Sequence, residues 1–365
     1  MPARETNKLV LLAAGGTGGH LFPAEALAVV LEKRGLIVDL ATDARAAHYK
    51  FPARAVHLIP SASVRARHPI ALARTGLLLT LGIAKAWALI GRIRPNIVVG
   101  FGGYPSVPPL LAASMRGVPS VLHEQNGVMG RANRLLAPRV TAIATSFHTL
   151  ARVDPRVQSK IAFTGNPVRP QVIAAAATPY SAPSGKLRFL VFGGSQGAHV
   201  MSEIVPAAIE RMPSDISSRL VVTQQARAED LDAVRTTYAR LGVEAEAAAF
   251  FPDLPARMAA AHLVISRSGA STVAELSAIG RPALLVPLPH ALDQDQFANA
   301  GVLEAAGGAI RIEQRDFTPE RLASEIVALS GDPVRLTRMA KAAKSAGTVD
   351  AAERLADLVV KVAGV

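Results

Sequence analysis

The sequence predicts an α/β protein made of two halves of similar design, each with a parallel sheet covered by helices. Lys8–Gly19 reads KLVLLAAGGTGG and Lys186–Gly197 reads KLRFLVFGGSQG, so one pattern of apolar run and glycine-rich loop recurs after 178 residues. A short apolar run bounded by glycine is typical of a buried parallel strand. The chain of 365 residues also has the length of two domains. We therefore expect two parallel-sheet domains with right-handed crossovers.

The composition limits the classes of protein that the sequence can encode. Half of the residues are hydrophobic, only 4% are aromatic, and cysteine is absent. Disulfides, thiolate chemistry and Cys-ligated zinc are thereby excluded. No uncharged apolar run reaches the about 18 residues that a spanning helix needs. The longest candidate, Gly76–Ile90, contains Lys85, so we expect a soluble protein.

The net charge of +12 is concentrated in the first half of the chain. Residues 1–168 hold 20 Lys and Arg against 7 Asp and Glu, whereas residues 169–365 hold 20 against 21. This asymmetry predicts that the first half faces an anionic surface or polymer. A nucleic acid is not expected as the partner, because aromatic residues are few and the glycine turns follow strand ends.

The first half is predicted to contain short strands and one long helix. After the opening run, the predicted strands are Leu36–Ala41, Ala55–Ile59, Asn96–Gly100, Pro119–Leu122, Val140–Ala144 and Ile161–Thr164. Pro69–Arg94 is predicted as a single helix, with Arg74, Lys85 and Arg92 within about 20° of one face. This helix either packs on the core with a solvated basic stripe or lies at an anionic membrane, next to its leucines and Trp87.

A hinge is predicted at Gly165–Pro170, which reads GNPVRP. We therefore expect an N-terminal domain at 1–165, a second domain at 166–345 and a final helical segment at 346–365. Predicted strands of the second domain are Phe189–Phe192, Leu220–Thr223, Ala247–Phe251, Leu263–Ser266 and Pro282–Pro287.

Two glycine-rich helix starts in the second half predict a nucleotide site. Gly193–Gly197 can present backbone N–H groups and the Ser195 hydroxyl to a phosphate. Ser266–Glu275 reads SRSGASTVAE, and the N–H groups after its glycine can bind a diphosphate. Glu275, one turn into the helix, can then accept hydrogen bonds from the hydroxyls of a ribose. The alternative is a well-capped helix, because Thr272 and Glu275 have the spacing of a capping box.

His20 directly follows the first glycine loop and is the candidate general base. A neutral imidazole can take a proton from a hydroxyl near physiological pH. The alternative is a polar residue that merely begins a helix. Glu124 and His123 end another predicted strand and are the competing candidates for the base.

The D-x-D pattern of Asp293 and Asp295 could hold a divalent cation. Arg169 and the helix dipoles can instead neutralise a diphosphate without metal. We therefore expect no metal site and no cofactor.

The chain contains six motifs in a characteristic order: GGTGGHLFP (15–23), FGGYPS (101–106), HEQNGVMGRANR (123–134), GNPVR (165–169), GGSQGA (193–198) and SRSGASTVAE (266–275). They resemble the motif set of the MurG family, bacterial β-N-acetylglucosaminyltransferases that act on undecaprenyl-diphospho-muramoylpentapeptide. The resemblance implies a GT-B fold, with two Rossmann-like domains facing across a cleft and the last helix crossing back to the first domain. It implies inverting transfer of N-acetylglucosamine from UDP-GlcNAc to the muramoyl 4-hydroxyl of lipid I, giving lipid II and UDP. It also implies no metal cofactor and peripheral binding at the cytoplasmic face of the inner membrane.

The resemblance further implies roles for individual residues. Donor contacts are implied for Thr17, Gly18, Gly19, Asn126, Arg169, Ser195, Phe251, Ala270, Ser271, Thr272, Val273, Ala274, Glu275 and Gln296. Residues expected at the acceptor or the anionic membrane surface are Gly102, Gly103, Tyr104, Arg65, Arg67, Arg74, Lys85, Trp87 and Arg92. Three positions depart from the family pattern. Phe251 replaces an aliphatic residue, His199 replaces an arginine, and an extra residue in 287–296 can shift the role of Gln296 to Gln294.

Two other enzyme classes stay open on the residues alone. A UDP-sugar 2-epimerase can share the two-domain fold and the donor site, but it needs no basic and apolar face on the first domain. An NAD-dependent dehydrogenase is the second. GGTGGH lacks the third glycine of G-x-G-x-x-G, although Asp39 or Asp43 lies near the expected acidic position.

Overall fold

The computed structural model describes residues 8–15, 17–46, 49–62, 68–194, 197–289, 291 and 293–365, apart from the side chains of 69–73. The chain divides into two compact units. Unit 1 is formed by Met1–Arg169 and Val349–Val365, and unit 2 by Pro170–Thr348. The division after Arg169 lies four residues beyond the boundary expected from the sequence, because residues 164–168 are buried within unit 1.

Both units are built on a sheet of parallel strands. The strands are β1 Leu9–Ala13, β2 Ile37–Thr42, β3 Ala55–Leu58, β4 Ile97–Gly100, β5 Ser120–Glu124, β6 Ala142–Thr145, β7 Ile161–Phe163, β8 Leu187–Phe192, β9 Leu220–Gln225, β10 Glu244–Ala248, β11 Leu263–Ser266, β12 Ala283–Leu285 and β13 Ala309–Arg311. Among the described residues, unit 1 has a seven-stranded sheet of order β3-β2-β1-β4-β5-β6-β7, and unit 2 a six-stranded sheet of order β10-β9-β8-β11-β12-β13. The strand order therefore reverses between β1 and β4 in unit 1 and between β8 and β11 in unit 2. Parallel sheets bind ligands at the carboxyl ends of strands beside such a reversal.

The helices follow the strands in alternation. They are α1 Gly18–Lys33, α2 Pro69–Ile93, α3 Val107–Met115, α4 Arg131–Leu136, α5 Pro170–Ala175, α6 His199–Glu210, α7 Ser214–Ser217, α8 Leu231–Arg240, α9 Leu254–Ala260, α10 Ala270–Ile279, α11 Asp295–Ala305, α12 Pro319–Ser330, α13 Pro333–Ser345 and α14 Ala351–Ala363. The two parallel-sheet halves predicted from the sequence are thereby confirmed.

One predicted strand is displaced along the sequence. The expected strand Ala247–Phe251 is found as β10 at Glu244–Ala248, paired with β9. This strand reads EAEAA, which is polar and alanine-rich, so the apolar pattern that marks a strand is weak there. Phe251, which supplied that signal, instead lies in the loop after β10, where it is 6% exposed.

Helix α2 matches the predicted long helix and leaves an apolar surface uncovered. Its segment Arg74–Ile93 has a mean hydropathy of 1.5, which meets the length and composition of a membrane span, and 22% of it is buried. Leu77, Leu81 and Trp87 are 61%, 51% and 45% exposed. Exposed apolar residues on one helix mark an interaction surface more often than isolated ones do.

Helix α14 packs into the core of unit 1 although it follows unit 2 in the sequence. Its buried residues Leu355 and Val359 belong to the same apolar cluster as Leu27 of α1. Arg34, which caps the end of α1, forms an ion pair with Asp357 at 2.7 Å. Apolar burial therefore joins the two ends of the sequence in one core.

Candidate active site

Two consecutive glycines after β4 shape the site in unit 1. Gly102 and Gly103 have φ of 76° and 70°, values that residues with side chains rarely adopt. A Cβ on Gly103 would lie 3.1 Å from His20 Nε2, and a Cβ on Gly102 would lie 3.1 Å from Asn133 Nδ2. The turn therefore brings together the segments that follow β1, β4 and β5, and it needs bare backbone to do so.

This turn is fixed to the end of β1. Ser106 Oγ lies 2.9 Å from Ala13 O and 2.7 Å from Gly102 O. Phe101 N donates a hydrogen bond to the same Ala13 carbonyl at 2.8 Å. A Cβ on Gly15 would lie 3.1 Å from the ring of Pro105, so the first glycine loop also packs directly on the turn.

A cavity of about 790 Å³ opens beside His20 within unit 1. The sequence-predicted site residues in its wall are Thr17, His20, Gly103, Tyr104 and Lys85. Arg45 also lines the cavity, but its guanidinium Nη2 is bonded to Asp43 Oδ2 at 2.6 Å. Within the described residues Lys85 makes no such pair. The cavity thus combines an imidazole with an unneutralised ammonium group, which suits a ligand with hydroxyl and anionic groups.

Glu124 is the organising acceptor of the loop that follows β5. Its Oε1 accepts from Asn126 N at 3.0 Å and Asn126 Nδ2 at 3.3 Å, and its Oε2 accepts from Gly130 N at 2.9 Å and Asn133 Nδ2 at 2.6 Å. The side chain is 1% exposed. Burial raises the pKa of Glu124, and the four N–H donors oppose that rise. The carboxyl group is therefore occupied by its own loop and positions Asn126, a predicted donor contact.

His123 is fully buried and neutral. Its Nε2 lies 3.1 Å from Gly165 O, and its Nδ1 lies 3.1 Å from Gln125 Nε2. This network assigns the proton to Nε2, which donates to the carbonyl. Burial lowers the pKa of His123 to about 4. His123 therefore ties the end of β5 to the GNPVR segment.

Arg169, a predicted donor contact, is held by an aromatic ring of the first motif. Its guanidinium carbon lies 3.9 Å from the centroid of the Phe22 ring. Phe22 in turn sits 6.5 Å from the ring of Tyr49. A Cβ on Gly18 would lie 3.0 Å from the Phe22 ring, so the glycine at the start of α1 makes room for this ring.

The corresponding glycine loop of unit 2 follows β8. A Cβ on Gly193 would lie 2.2 Å from Ala198 N, so only glycine fits at this turn. Gly193 N donates to Gln225 Oε1 at 3.2 Å, which fixes the loop to β9. His199, which stands where the family pattern has arginine, has its Nδ1 2.8 Å from Asp230 Oδ1. The imidazole at this departure from the pattern is thus engaged with a carboxylate of unit 2.

The second glycine-rich start leads into α10. Gly269 is the N-cap, with no side-chain capping bond, and Thr272 is the third residue of the helix. The alternative of a capping box at Thr272 and Glu275 is therefore wrong. The first N–H groups of a helix have no partner within it, so those of Ala270 and Ser271 are available to a ligand. Glu275 is 6% exposed and begins the second turn. Predicted contacts in these two turns are Ala270, Ser271, Thr272, Val273, Ala274 and Glu275.

The turn before α10 is tied to the loop between β12 and α11. Ser268 Oγ donates to Gln296 O at 2.8 Å, and Asn299 Nδ2 donates to Ser268 O at 3.2 Å. Leu288 N donates to Gln296 Oε1 at 3.0 Å. Gln294 has φ of 55° and an exposed side chain. Gln296, rather than Gln294, is thus the glutamine held beside the start of α10.

The D-x-D pattern lies at the start of α11. Asp295 Oδ1 accepts a hydrogen bond from Gln296 N at 2.9 Å. Within the part of the chain that the structure describes, no three His, Asp or Glu side chains are grouped closely enough to hold a metal ion.

Phe251 is buried beneath a charged side chain. The Arg257 guanidinium lies 4.3 Å from its ring centroid and is bonded to Glu246 and Asp253. The phenylalanine that replaces an aliphatic residue is thus covered by a fixed cation. Phe251, in the loop between β10 and α9, stays a predicted donor contact.

Some predicted residues lie outside the described part of the chain, and some structural partners escaped the sequence reasoning. Arg65, Arg67 and Ser195 are among the residues that the structure does not describe. Phe22, Asn133 and Arg267 position predicted site residues and were not singled out. All three lie inside the six motifs, and that membership was the signal that could have found them.

Two family models match the chain. The glycosyltransferase family 28 N-terminal domain matches residues 10–145, and the glycosyltransferase family 28 C-terminal domain matches residues 188–355. These ranges contain the glycine loops of both units. The chain therefore belongs to glycosyltransferase family 28.

Its curated relatives share one enzyme name. A protein of Rhodopseudomonas palustris is 62% identical over 98% of this chain and 99% of its own length, and one of Nitrobacter hamburgensis is 59% identical over 98% of each. Both are named UDP-N-acetylglucosamine--N-acetylmuramyl-(pentapeptide) pyrophosphoryl-undecaprenol N-acetylglucosamine transferase. The predicted N-acetylglucosaminyltransferase class is thereby confirmed and favoured over the epimerase and dehydrogenase alternatives.

Solved structures agree with the fold. The structure of MurG from Acinetobacter baumannii matches with a TM-score of 0.77 and 28% identity, over 97% of this chain and 99% of its own. A UDP-GlcNAc 2-epimerase from Neisseria meningitidis matches with a TM-score of 0.67 and 13% identity, over 97% of this chain and 100% of its own. At that identity the second likeness concerns the fold alone.

Proposed function

We propose that this chain transfers N-acetylglucosamine from UDP-GlcNAc to the muramoyl 4-hydroxyl of undecaprenyl-linked lipid I, with inversion, giving lipid II and UDP. The observation that carries the proposal is the placement of His20. Its imidazole stands against the Gly102–Gly103 turn at the edge of the cavity of about 790 Å³ in unit 1. A base at the wall of a cavity large enough for a sugar is what an acceptor hydroxyl requires.

The acceptor is assigned to unit 1. The cavity offers His20 for the reacting hydroxyl and the Lys85 ammonium for an anionic group of the same ligand. Lipid I carries a diphosphate next to its muramoyl sugar, so one ligand can meet both groups. Thr17 and Tyr104 also line the cavity, and their hydroxyl groups can bond to the hydroxyls of a sugar.

His20 is the proposed base rather than Glu124. A general base must reach the proton that it abstracts. Glu124 is 1% exposed and accepts four hydrogen bonds from its own loop. His123 is likewise buried and bonded through both ring nitrogens. Both side chains are thereby supports of the site.

The donor is assigned to unit 2. The available N–H groups at the start of α10 and the positive end of its dipole suit the diphosphate of UDP-GlcNAc. Glu275 is proposed to accept hydrogen bonds from the ribose hydroxyls. Gln296, fixed by Leu288 N and Ser268 Oγ, is proposed to contact the transferred sugar.

The chemical step balances without a further reactant. As the O4–C1 bond forms, the bond from C1 to the phosphate oxygen breaks, and UDP leaves with the electron pair. The proton of the 4-hydroxyl passes to His20 and then to solvent. The charge that develops on UDP is stabilised by the N–H groups at the start of α10. We infer that no divalent cation takes part.

The exposed side of α2 is the proposed membrane face. Leu77, Leu81 and Trp87 are exposed on it, with Arg74 and Arg92 also exposed on the same helix. Apolar side chains next to basic ones bind anionic bilayers at their surface. We therefore assign the protein to the cytoplasmic face of the bacterial inner membrane as a peripheral protein, with no nucleic-acid partner.

Turnover of UDP-GlcNAc with a soluble lipid I analogue tests the function. We expect UDP release only when the acceptor is present, a β-linked disaccharide product, and the same rate with and without EDTA. Formation of the 2-epimer of UDP-GlcNAc without acceptor would contradict the proposal. A rate that falls with EDTA and recovers with a divalent cation would contradict its metal-independent form.

A further inference from the structure

Arg267 is a buried cation that precedes the start of α10. It is 8% exposed. Its Nη1 donates to Val286 O and Pro287 O, both at 3.1 Å, and its Nη2 donates to Gln314 Oε1 at 2.5 Å. All of these acceptors are neutral. Within the described residues the guanidinium forms no ion pair with a carboxylate.

The location of this charge is unfavourable for the protein alone. Burial lowers the pKa of the Arg267 guanidinium, although arginine stays protonated in proteins. A buried charge without a partner is costly. In the sequence Arg267 stands two residues before Gly269, the N-cap of α10, and a cation near the positive end of a helix dipole adds to that cost.

A second buried arginine in the same unit shows the compensated arrangement. Arg281 is 1% exposed and follows the other end of α10. Its Nη1 donates to Ile279 O and Gly280 O, both at 3.0 Å. The negative end of the helix dipole therefore offsets its charge. Arg267 instead precedes the N-terminal end of α10, where the helix dipole does not offset a positive charge.

We propose that Arg267 is a positioning residue. The negative charge that balances its buried guanidinium comes from the diphosphate of a nucleoside diphosphate bound at the start of α10. This inference rests on the proposed donor site. Two of the hydrogen bonds of Arg267 also anchor Val286 and Pro287, directly after β12, where the loop with Gln296 begins. One side chain thus contributes to the local potential and holds the first residues of the loop that carries Gln296.

The substitution Gln314→Glu tests the charge of Arg267 separately from its role in anchoring neighbouring segments by hydrogen bonds. It places a carboxylate at the atom that Arg267 Nη2 already contacts, so it neutralises the cation while keeping the hydrogen bond. The affinities for UDP and for uridine are measured by titration calorimetry on the full chain. Only UDP carries the diphosphate, so a loss of affinity for UDP alone reports the charge of Arg267. We expect UDP affinity to fall about tenfold and uridine affinity to change less than about threefold.

Arg267→Met and Arg281→Met form the matched pair of controls, with thermal unfolding recorded for both. We expect Arg267→Met to lose UDP affinity selectively, as Gln314→Glu does, and Arg281→Met to retain the wild-type ratio of the two affinities. If Gln314→Glu loses affinity for UDP and for uridine equally, or loses neither affinity, the inference is overturned. This result is decisive even if Arg267→Met does not fold. Failure of the wild-type chain to bind UDP would instead overturn the donor site itself.

Discussion

The guanidinium carbon of Arg169 lies over the ring of Phe22, 3.9 Å from its centroid. The two residues belong to motifs that are far apart in the sequence. A cation over an aromatic face is held by the ring quadrupole, which fixes its direction without neutralising its charge. The ring of Phe22 therefore helps to order the side chain of Arg169.

The first prediction concerns this pair. Phe22→Leu removes the ring and leaves an apolar side chain of similar size in α1. We expect the donor KM to rise about 2- to 30-fold, with kcat less affected, because the ordering of Arg169 is lost. Steady-state kinetics at saturating acceptor measure it. Phe22→Tyr, which keeps the ring, is the matched control, and an equal rise of KM in both variants would contradict the explanation.

The second prediction assigns the base. His20→Ala should lower kcat by at least about 10²-fold and leave the donor KM nearly unchanged, because general-base help is lost at the chemical step. The acidic limb of the kcat profile should disappear with it. Glu124→Gln places an amide NH₂ among N–H donors, so it should lower stability and keep that limb. If Glu124→Gln loses the limb and His20→Ala retains it, Glu124 is the base.

The third prediction concerns the exposed side of α2. Replacing Leu77 and Leu81 together with serine should weaken binding to vesicles that contain anionic lipid, because both side chains are more than half exposed. Binding of the wild-type chain should fall as salt is raised. Leu135→Ser is the matched control, since Leu135 is 51% exposed on α4 instead. Equal loss of vesicle binding in the control would count against α2 as the membrane face.

The fourth prediction follows from the buried His123. Its folded-state pKa of about 4 lies below the ordinary value of 6.5. Between these values the unfolded chain binds a proton that the folded chain does not, so stability falls as the pH falls through this window. As the pH falls through this window, the free energy of unfolding of His123→Asn should decrease by up to about 1.4 kcal/mol per pH unit less than that of the wild type.

Urea unfolding of unit 1 measures this effect. Trp87 is the one tryptophan of the chain and lies in unit 1, so its fluorescence reports that unit. The free energies of unfolding of wild type and variant should converge as the pH falls from about 6.5 to about 5. The same pH dependence in both proteins would show that His123 is not the group responsible.

Much of this architecture could be predicted because it follows from local patterns. Buried strands such as Leu9–Ala13 are apolar on both faces, and the glycines after them have positive φ or no room for a Cβ. Both signals are visible in a single sequence. The weak strand β10 was misplaced because its outer residues carry no such signal.

The supporting contacts of the site could not be predicted from the sequence. The bonds of Glu124 to its own loop, and the position of Arg169 over Phe22, arise from packing between segments that are distant in sequence. The capping-box pattern at Thr272 was misleading because the N-cap of the helix is Gly269, three residues earlier. Sequence spacing identified the residues but not which of them contact each other.

The position of α14 has a consequence for biosynthesis. A ribosome makes α1 and the strands of unit 1 first, then the whole of unit 2, and only then the helix that buries Leu355 and Val359 beside Leu27. Unit 2 can therefore complete its core while the first-made unit still exposes an apolar face. The unit that begins the chain is thus the last to be finished, and a nascent chain stalled before residue 351 would present that face to chaperones and proteases.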